Sequence, residues 1–130
     1  LAETGARVLG VEVNGAAIAC ARRNAAAAGT PHADFCEGNV EDWLKIAAAK
    51  KFSIIILDPP RAGCDKEVLS SIIKLKPERV VYISCDPATQ ARDLRTLAAG
   101  GFSLAYVQPL DMFPQTMHIE TVALLEKTRT

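Results

Sequence analysis

The apolar positions of the chain change period repeatedly, from alternate or continuous runs to spacings of three and four. Residues 7–13 alternate toward β-branched side chains and predict a strand. Asn14 then stands where a helix N-cap is needed, and the alanine-rich residues 16–28 predict a helix ended by Gly29. Residues 33–36 predict a short strand, and residues 41–49 a second helix whose Trp43, Leu44 and Ile46 form an apolar side. Residues 52–57 give the strongest strand signal, a continuous apolar run of the kind buried on both faces of a parallel sheet. That run stops at Asp58-Pro59-Pro60. Residues 66–74 predict a helix, and residues 79–84 another buried strand ending at Cys85. Asp86 and Pro87 fit an N-cap and first helical position, and this helix is expected to reach Ala99 before Gly100-Gly101. Residues 102–110 and 121–126 predict two final strands joined by a loop, hence an antiparallel hairpin at a sheet edge.

Strands alternating with helices and closed by a hairpin predict a doubly wound α/β fold. The 130 residues carry no internal repeat and no change of composition, so they read as one domain. No apolar run approaches the roughly 18 residues of a membrane-spanning helix. Fifteen basic residues balance fifteen acidic ones, which argues against gripping nucleic acid by bulk charge alone. The four cysteines lack metal-ligand spacing and point to a reducing, cytoplasmic setting. Cys20 and Cys36 are expected to be packing residues, and Cys64 a free surface thiol.

Ligands of such sheets sit at the carboxyl ends of the strands, where Glu12, Asn39, Asp58 and Cys85 fall. Each alone is as well explained as a helix cap; four on successive strands point to a site. A carboxylate in the position of Glu12 suits two ribose hydroxyls, with a glycine-rich turn about 20 residues earlier. Counting back passes Leu1, so that turn and the first sheet strand are expected to precede this sequence. The prolines of Asp58-Pro59-Pro60-Arg61 stop strand pairing and free the Asp58 carboxylate, while Arg61 suits a phosphate or a surface carboxylate. Cys85 joins a strand end to a helix start, where backbone amides and the helix dipole favour a thiolate nucleophile. The irregular stretch 111–120 offers His118 and Glu120 as acid–base groups.

Asp58-Pro59-Pro60-Arg61-Ala62-Gly63, Ser84-Cys85-Asp86-Pro87-Ala88-Thr89 with Ala91-Arg92-Asp93-Leu94, and Asp111-Met112-Phe113-Pro114 with His118-Ile119-Glu120 together resemble the RNA 5-methyluridine methyltransferase family, in its order and spacing. The resemblance covers essentially the whole chain. It implies a Rossmann-like methyltransferase domain, S-adenosylmethionine as methyl donor and a uridine of ribosomal or transfer RNA as substrate. Glu12, Asn39 and Asp58 match cofactor-contacting positions, Cys85 the nucleophile and Glu120 the proton-abstracting base. In this chemistry thiolate addition at carbon 6 of uracil makes carbon 5 nucleophilic enough to take the methyl group. A base then removes the carbon-5 proton and the cysteine leaves.

One departure stands beside the nucleophile: the family's usual asparagine is here Asp86, whose charge opposes thiolate formation. Without the first strand, the strands around Val11 and Ile55 must pair directly, leave a gap or borrow a strand from another copy. The segment by itself is therefore expected to be inactive and to bind the cofactor weakly. Two other readings exist. An amino-methyltransferase also places an acidic or amide residue before two prolines, but follows them with an aromatic residue where Arg61 stands. A non-catalytic domain kept as a fold or partner surface is the second.

Overall fold

Asn14 starts the first helix as its position foretells. Its Oδ1 accepts from the backbone N–H groups of Ala16 and Ala17 at 2.9 and 3.2 Å, satisfying two of the donors that a helix start leaves open. The helix runs Gly15–Ala27, and Gly29, at φ +63°, turns the chain back toward the next strand. A computed structural model describes residues 2–47 and 51–128, and the chain divides into two compact units, Leu1–Ala47 and Ala48–Thr130.

The first unit comprises a 3-10 turn at Ala2–Thr4, β1 (Val8–Glu12), α1 (Gly15–Ala27), β2 (Ala33–Glu37) and α2 (Val40–Ile46). β1 and β2 pair in parallel from Val8↔Ala33 to Glu12↔Glu37, with α1 as the crossover. Gly10 lies under the Phe35 ring: a Cβ there would stand 2.8 Å from Phe35 Cδ1. Ile18 is the buried anchor of α1. The expected apolar side of α2 is narrower than its sequence suggested. Trp43 and Leu44 are half-buried, but Ile46 is 74% exposed. Residues 48 and 49 of the expected helix lie outside the described residues.

The second unit comprises β3 (Ile54–Leu57), α3 (Lys66–Leu75), β4 (Arg79–Ser84), α4 (Pro87–Ala99), β5 (Phe102–Leu110) and β6 (Glu120–Lys127). Its strands form one sheet in the order β3-β4-β6-β5. β3 and β4 are parallel; β6 runs antiparallel to both β4 and β5. One face of this sheet carries Leu57, Val80, Tyr82, Ala123 and Leu125, all buried, and closes against α3 and α4 through Val68, Leu69, Ile72, Leu94 and Leu97. Such burial is the main stabilising contribution, about 1.5–3 kcal/mol for each large apolar side chain.

The final strands form the expected antiparallel hairpin at a sheet edge, with β5 outermost and β6 between β5 and β4. Burial explains the order. Thr121, Ala123 and Leu125 of β6 are buried, whereas Phe102 alone is buried in β5, which also carries Pro109, a residue that lacks the N–H of an interior strand. One expectation is corrected: β3 is not buried on both faces. Ile54 and Ile56 are 40% and 49% exposed. Among the described residues β3 has β4 as its one strand neighbour, and β1 belongs to a separate sheet. Of the three outcomes expected for the strands around Val11 and Ile55, direct pairing is not found among the described residues.

Candidate active site

The register of β4 against β6 brings two candidate residues together. Pairing reaches Ser84↔Thr121. Cys85 follows Ser84 and Glu120 precedes Thr121, so they stand at the facing ends of neighbouring strands. This junction is fixed by a buried polar network. Gln90, 2% exposed on α4, donates from Nε2 to the carbonyls of Tyr82 (3.0 Å) and Thr121 (3.3 Å), and its Oε1 accepts from Thr121 Oγ1 at 2.8 Å. Fully satisfied buried networks of this kind hold strands and helix in one arrangement. Sequence reasoning missed Gln90 and Thr121, because a polar residue on a helix ordinarily reads as surface.

Cys85 itself is half-buried and stands directly before α4. Asp86 caps that helix: its Oδ1 accepts from the N–H groups of Ala88 and Thr89 at 3.0 and 3.1 Å. The Thr89 and Ala88 amides, helped by Arg61, hold its carboxyl below the ordinary aspartate range. Arg61 Nε lies 3.9 Å from Asp86 Oδ2. The charge beside the cysteine is thus engaged on both sides, by helix amides and by a guanidinium.

Arg61, Cys85, Phe113, His118 and Glu120 line one open pocket of about 360 Å³, within the range of small-molecule clefts. Its outer wall is an ordered turn. Thr116 Oγ1 donates to Phe113 O at 2.7 Å and accepts from His118 N at 3.2 Å, with Gln115 in the left-handed region at φ +66°. The turn sets the Phe113 and His118 rings edge to face, their centroids 6.3 Å apart.

Asp58 follows β3 in the same unit, exposed and outside the lining of this pocket. Glu12 and Asn39 occupy the first unit, at the carboxyl ends of β1 and β2. Glu12 Oε1 accepts from Asn14 N at 2.8 Å. Asn39 starts α2 without a side-chain capping bond. All three side chains are exposed at strand ends, with hydrogen-bonding capacity in hand. Within the first unit, a carboxylate and an amide at neighbouring strand ends suit a ligand bearing hydroxyl or amino groups.

Two of the remaining cysteines, Cys20 and Cys64, depart from expectation. Cys20 is exposed on α1, where its sulfur accepts from Arg23 Nη2 at 3.0 Å, and is not a core residue. Cys36 is half-buried on β2. Cys64 is no surface thiol: it is half-buried, and burial raises its pKa from 9.0 to about 11. At pH 8 Cys64 therefore remains protonated, and iodoacetamide is expected to label Cys20 well before it. Peptide mass mapping of a time course checks this; early labelling of Cys64 contradicts it. Because the folded chain keeps this thiol protonated while the unfolded chain loses the proton near pH 9, Cys64 also makes stability fall as pH rises from about 9 to 11.

Comparison with known proteins bears on the family and the fold. The profile of the tRNA (uracil-5-)-methyltransferase family matches residues 44–128. An uncharacterised RNA methyltransferase of Halalkalibacterium halodurans is 48% identical over 128 residues, covering 97% of this chain and 28% of that protein. Another, from Thermotoga maritima, is 44% identical over 122 residues, covering 94% of the chain and 28% of that protein. The crystal structure of Pyrococcus abyssi tRNA (uracil-54, C5)-methyltransferase in complex with S-adenosyl-L-homocysteine superposes with a TM-score of 0.85 at 37% identity, over 96% of this chain and 30% of that one. An N-methyltransferase of Bradyrhizobium japonicum, 13% identical with a TM-score of 0.73, shares the Rossmann-like methyltransferase fold alone. The chain thus spans a little over a quarter of the length of the curated relatives it matches. Over that span, with the Asp-Pro-Pro-Arg turn, the Ser-Cys strand end and the His-Ile-Glu strand start all inside the matched region, the chain belongs to the tRNA (uracil-5-)-methyltransferase family.

Proposed function

We propose that the protein containing this chain transfers a methyl group to carbon 5 of a uridine in RNA through a transient covalent bond to Cys85. The observation that carries the reading is the pocket in which Cys85 and Glu120 share a wall with Arg61, Phe113 and His118. S-adenosylmethionine is the methyl donor of the family, and Glu12, Asn39 and Asp58 are the residues proposed to hold it. When bound, it supplies an electrophilic methyl group.

The chain's own residues do the rest. The Cys85 sulfur adds to carbon 6 of the uracil, and the electron pair of the 5,6 double bond becomes available at carbon 5. The N-terminal end of α4 and Arg61 surround the sulfur with positive potential, offsetting Asp86. Once carbon 5 carries the methyl group, Glu120 accepts the proton that carbon 5 still holds. The returning electron pair rebuilds the double bond and expels the thiolate. The Phe113 and His118 rings form the apolar wall against which an unstacked base can lie. A target uridine must leave its stack to reach the sulfur, and the ordered 113–116 turn keeps that wall in place.

RNA containing 5-fluorouridine tests the reading, since fluorine cannot leave carbon 5 as a proton does. The intact enzyme with S-adenosylmethionine is expected to form a stable protein–RNA adduct whose cross-linked peptide contains Cys85. Turnover of ordinary uridine without any adduct on the fluorinated RNA rejects the covalent route.

A further inference from the structure

The Ala91-Arg92-Asp93-Leu94 stretch takes no part in the chemistry above, yet Asp93 is among the most buried polar side chains of the second unit, at 1% exposure. Its carboxylate gathers donors from three elements. Oδ2 accepts from Tyr82 OH of β4 at 2.6 Å and from the backbone N–H of Cys64 at 2.8 Å; Oδ1 accepts from Arg92 Nε at 2.9 Å. The Arg92 Nη2 also donates to the carbonyl of Ala62 at 2.9 Å. One turn earlier on α4, Thr89 Oγ1 donates to the carbonyl of Arg61 at 2.9 Å. Thr89, Arg92 and Asp93 thereby hold the backbone of Arg61, Ala62 and Cys64, three of four successive loop residues. Gly63 completes the fit. It lies at φ +80°, and a Cβ there would stand 2.5 Å from Asp93 Oδ2 and 2.6 Å from Arg92 Nη2.

The same helix begins directly after Cys85. A loop fastened to α4 therefore keeps its Arg61 side chain in a fixed relation to the cysteine and to Asp86, across the pocket. Left free, a loop that follows two prolines and contains a glycine would sample other courses, and Arg61, 66% exposed, would leave the pocket wall. We propose that Asp93, with Thr89 and Arg92, is a positioning clasp that acts on methyl transfer through Arg61. The buried carboxylate costs desolvation free energy, and its three donors offset that cost while selecting one loop conformation.

The inference rests on the pocket being the catalytic site, and a double-mutant cycle in the intact enzyme tests it. Displacing a pocket group by about 1 Å reduces rate by roughly 10²-fold, so Asp93→Asn, which places an amide donor among the carboxylate's former donors, is expected to lower kcat roughly 10- to 100-fold per folded molecule. Arg61→Ala is expected to lower it similarly, and the double variant to lose little beyond Arg61→Ala alone. A residue that served folding only would lower Tm, leave kcat per folded molecule unchanged well below Tm, and give losses that multiply with those of Arg61→Ala. Either result, or an Arg61→Ala enzyme of full activity, overturns the clasp. If Asp93→Asn does not fold, Thr89→Val, which removes only the bond to the Arg61 carbonyl and a helix-end contact, carries the same cycle with a smaller expected loss. Wild-type enzyme that leaves uridine unmodified overturns the pocket assignment and the clasp with it. Wild-type turnover with unchanged variants overturns the clasp alone.

Discussion

Cys85→Ala in the intact enzyme is expected to abolish uridine methylation, with a loss on the order of 10⁴-fold or more, because without the sulfur carbon 5 is never activated. Fold and RNA binding should persist. Cys85 is only half-buried, it makes no hydrogen bond on which Ser84, Gln90 or Thr121 depend, and the cap of α4 belongs to Asp86. The measurement is the rate of tritium release from carbon 5 of labelled uridine, read beside RNA affinity and Tm. An alanine variant that still released tritium within tenfold of wild type would end the covalent reading. It would leave a methyltransferase that attacks its base directly. Cys85→Ser is expected to be almost as slow, since a hydroxyl carries too little oxyanion near neutral pH to add to the ring.

Glu120→Gln is expected to behave differently although its turnover also falls, by roughly 10²- to 10⁴-fold, the usual contribution of a positioned base. Addition and methyl transfer precede the step that needs the carboxylate. The variant should therefore accumulate a methylated covalent adduct with ordinary RNA, visible as a slow-migrating band and as an increase in mass of the Cys85 peptide. The facing placement of Cys85 and Glu120 beyond the Ser84↔Thr121 pair is the reason to expect this division of labour. A glutamine variant that lost turnover without accumulating adduct would place Glu120 before bond formation instead of after it.

The elements themselves were legible because their local chemistry is consistent. Asn14 and Asp86 cap helices at the positions their types favour, Pro87 occupies the first turn of α4, and Gly29 turns the chain after α1. What the sequence withheld was set by tertiary partners. The run Ile54-Ile55-Ile56-Leu57 reads alike whether a strand has one neighbour or two, so its exposed face was not foreseeable. The place of β6 between β4 and β5 depends on pairing that no local period encodes, although Pro109 marked β5 as the poorer interior strand. The site was legible at Cys85 and Glu120 through the motifs that flank them. Its scaffold was less so, yet a signal existed: Gln90, Asp93, Leu94 and Leu97 are spaced as one buried helical face, and all four are buried. Polar residues in phase with leucines on a helix are candidates for a buried network.

The border of β3 has a practical consequence. A strand with one neighbour presents a row of backbone donors and acceptors on its other side, and here Ile54 and Ile56 stand beside that row in contact with water. Such a border is a template for any extended peptide it meets, including another molecule of the same chain. The balanced charge of fifteen acidic and fifteen basic residues supplies little repulsion to keep copies apart near neutral pH. A lysine in place of Ile56 is a single change that would blunt this template.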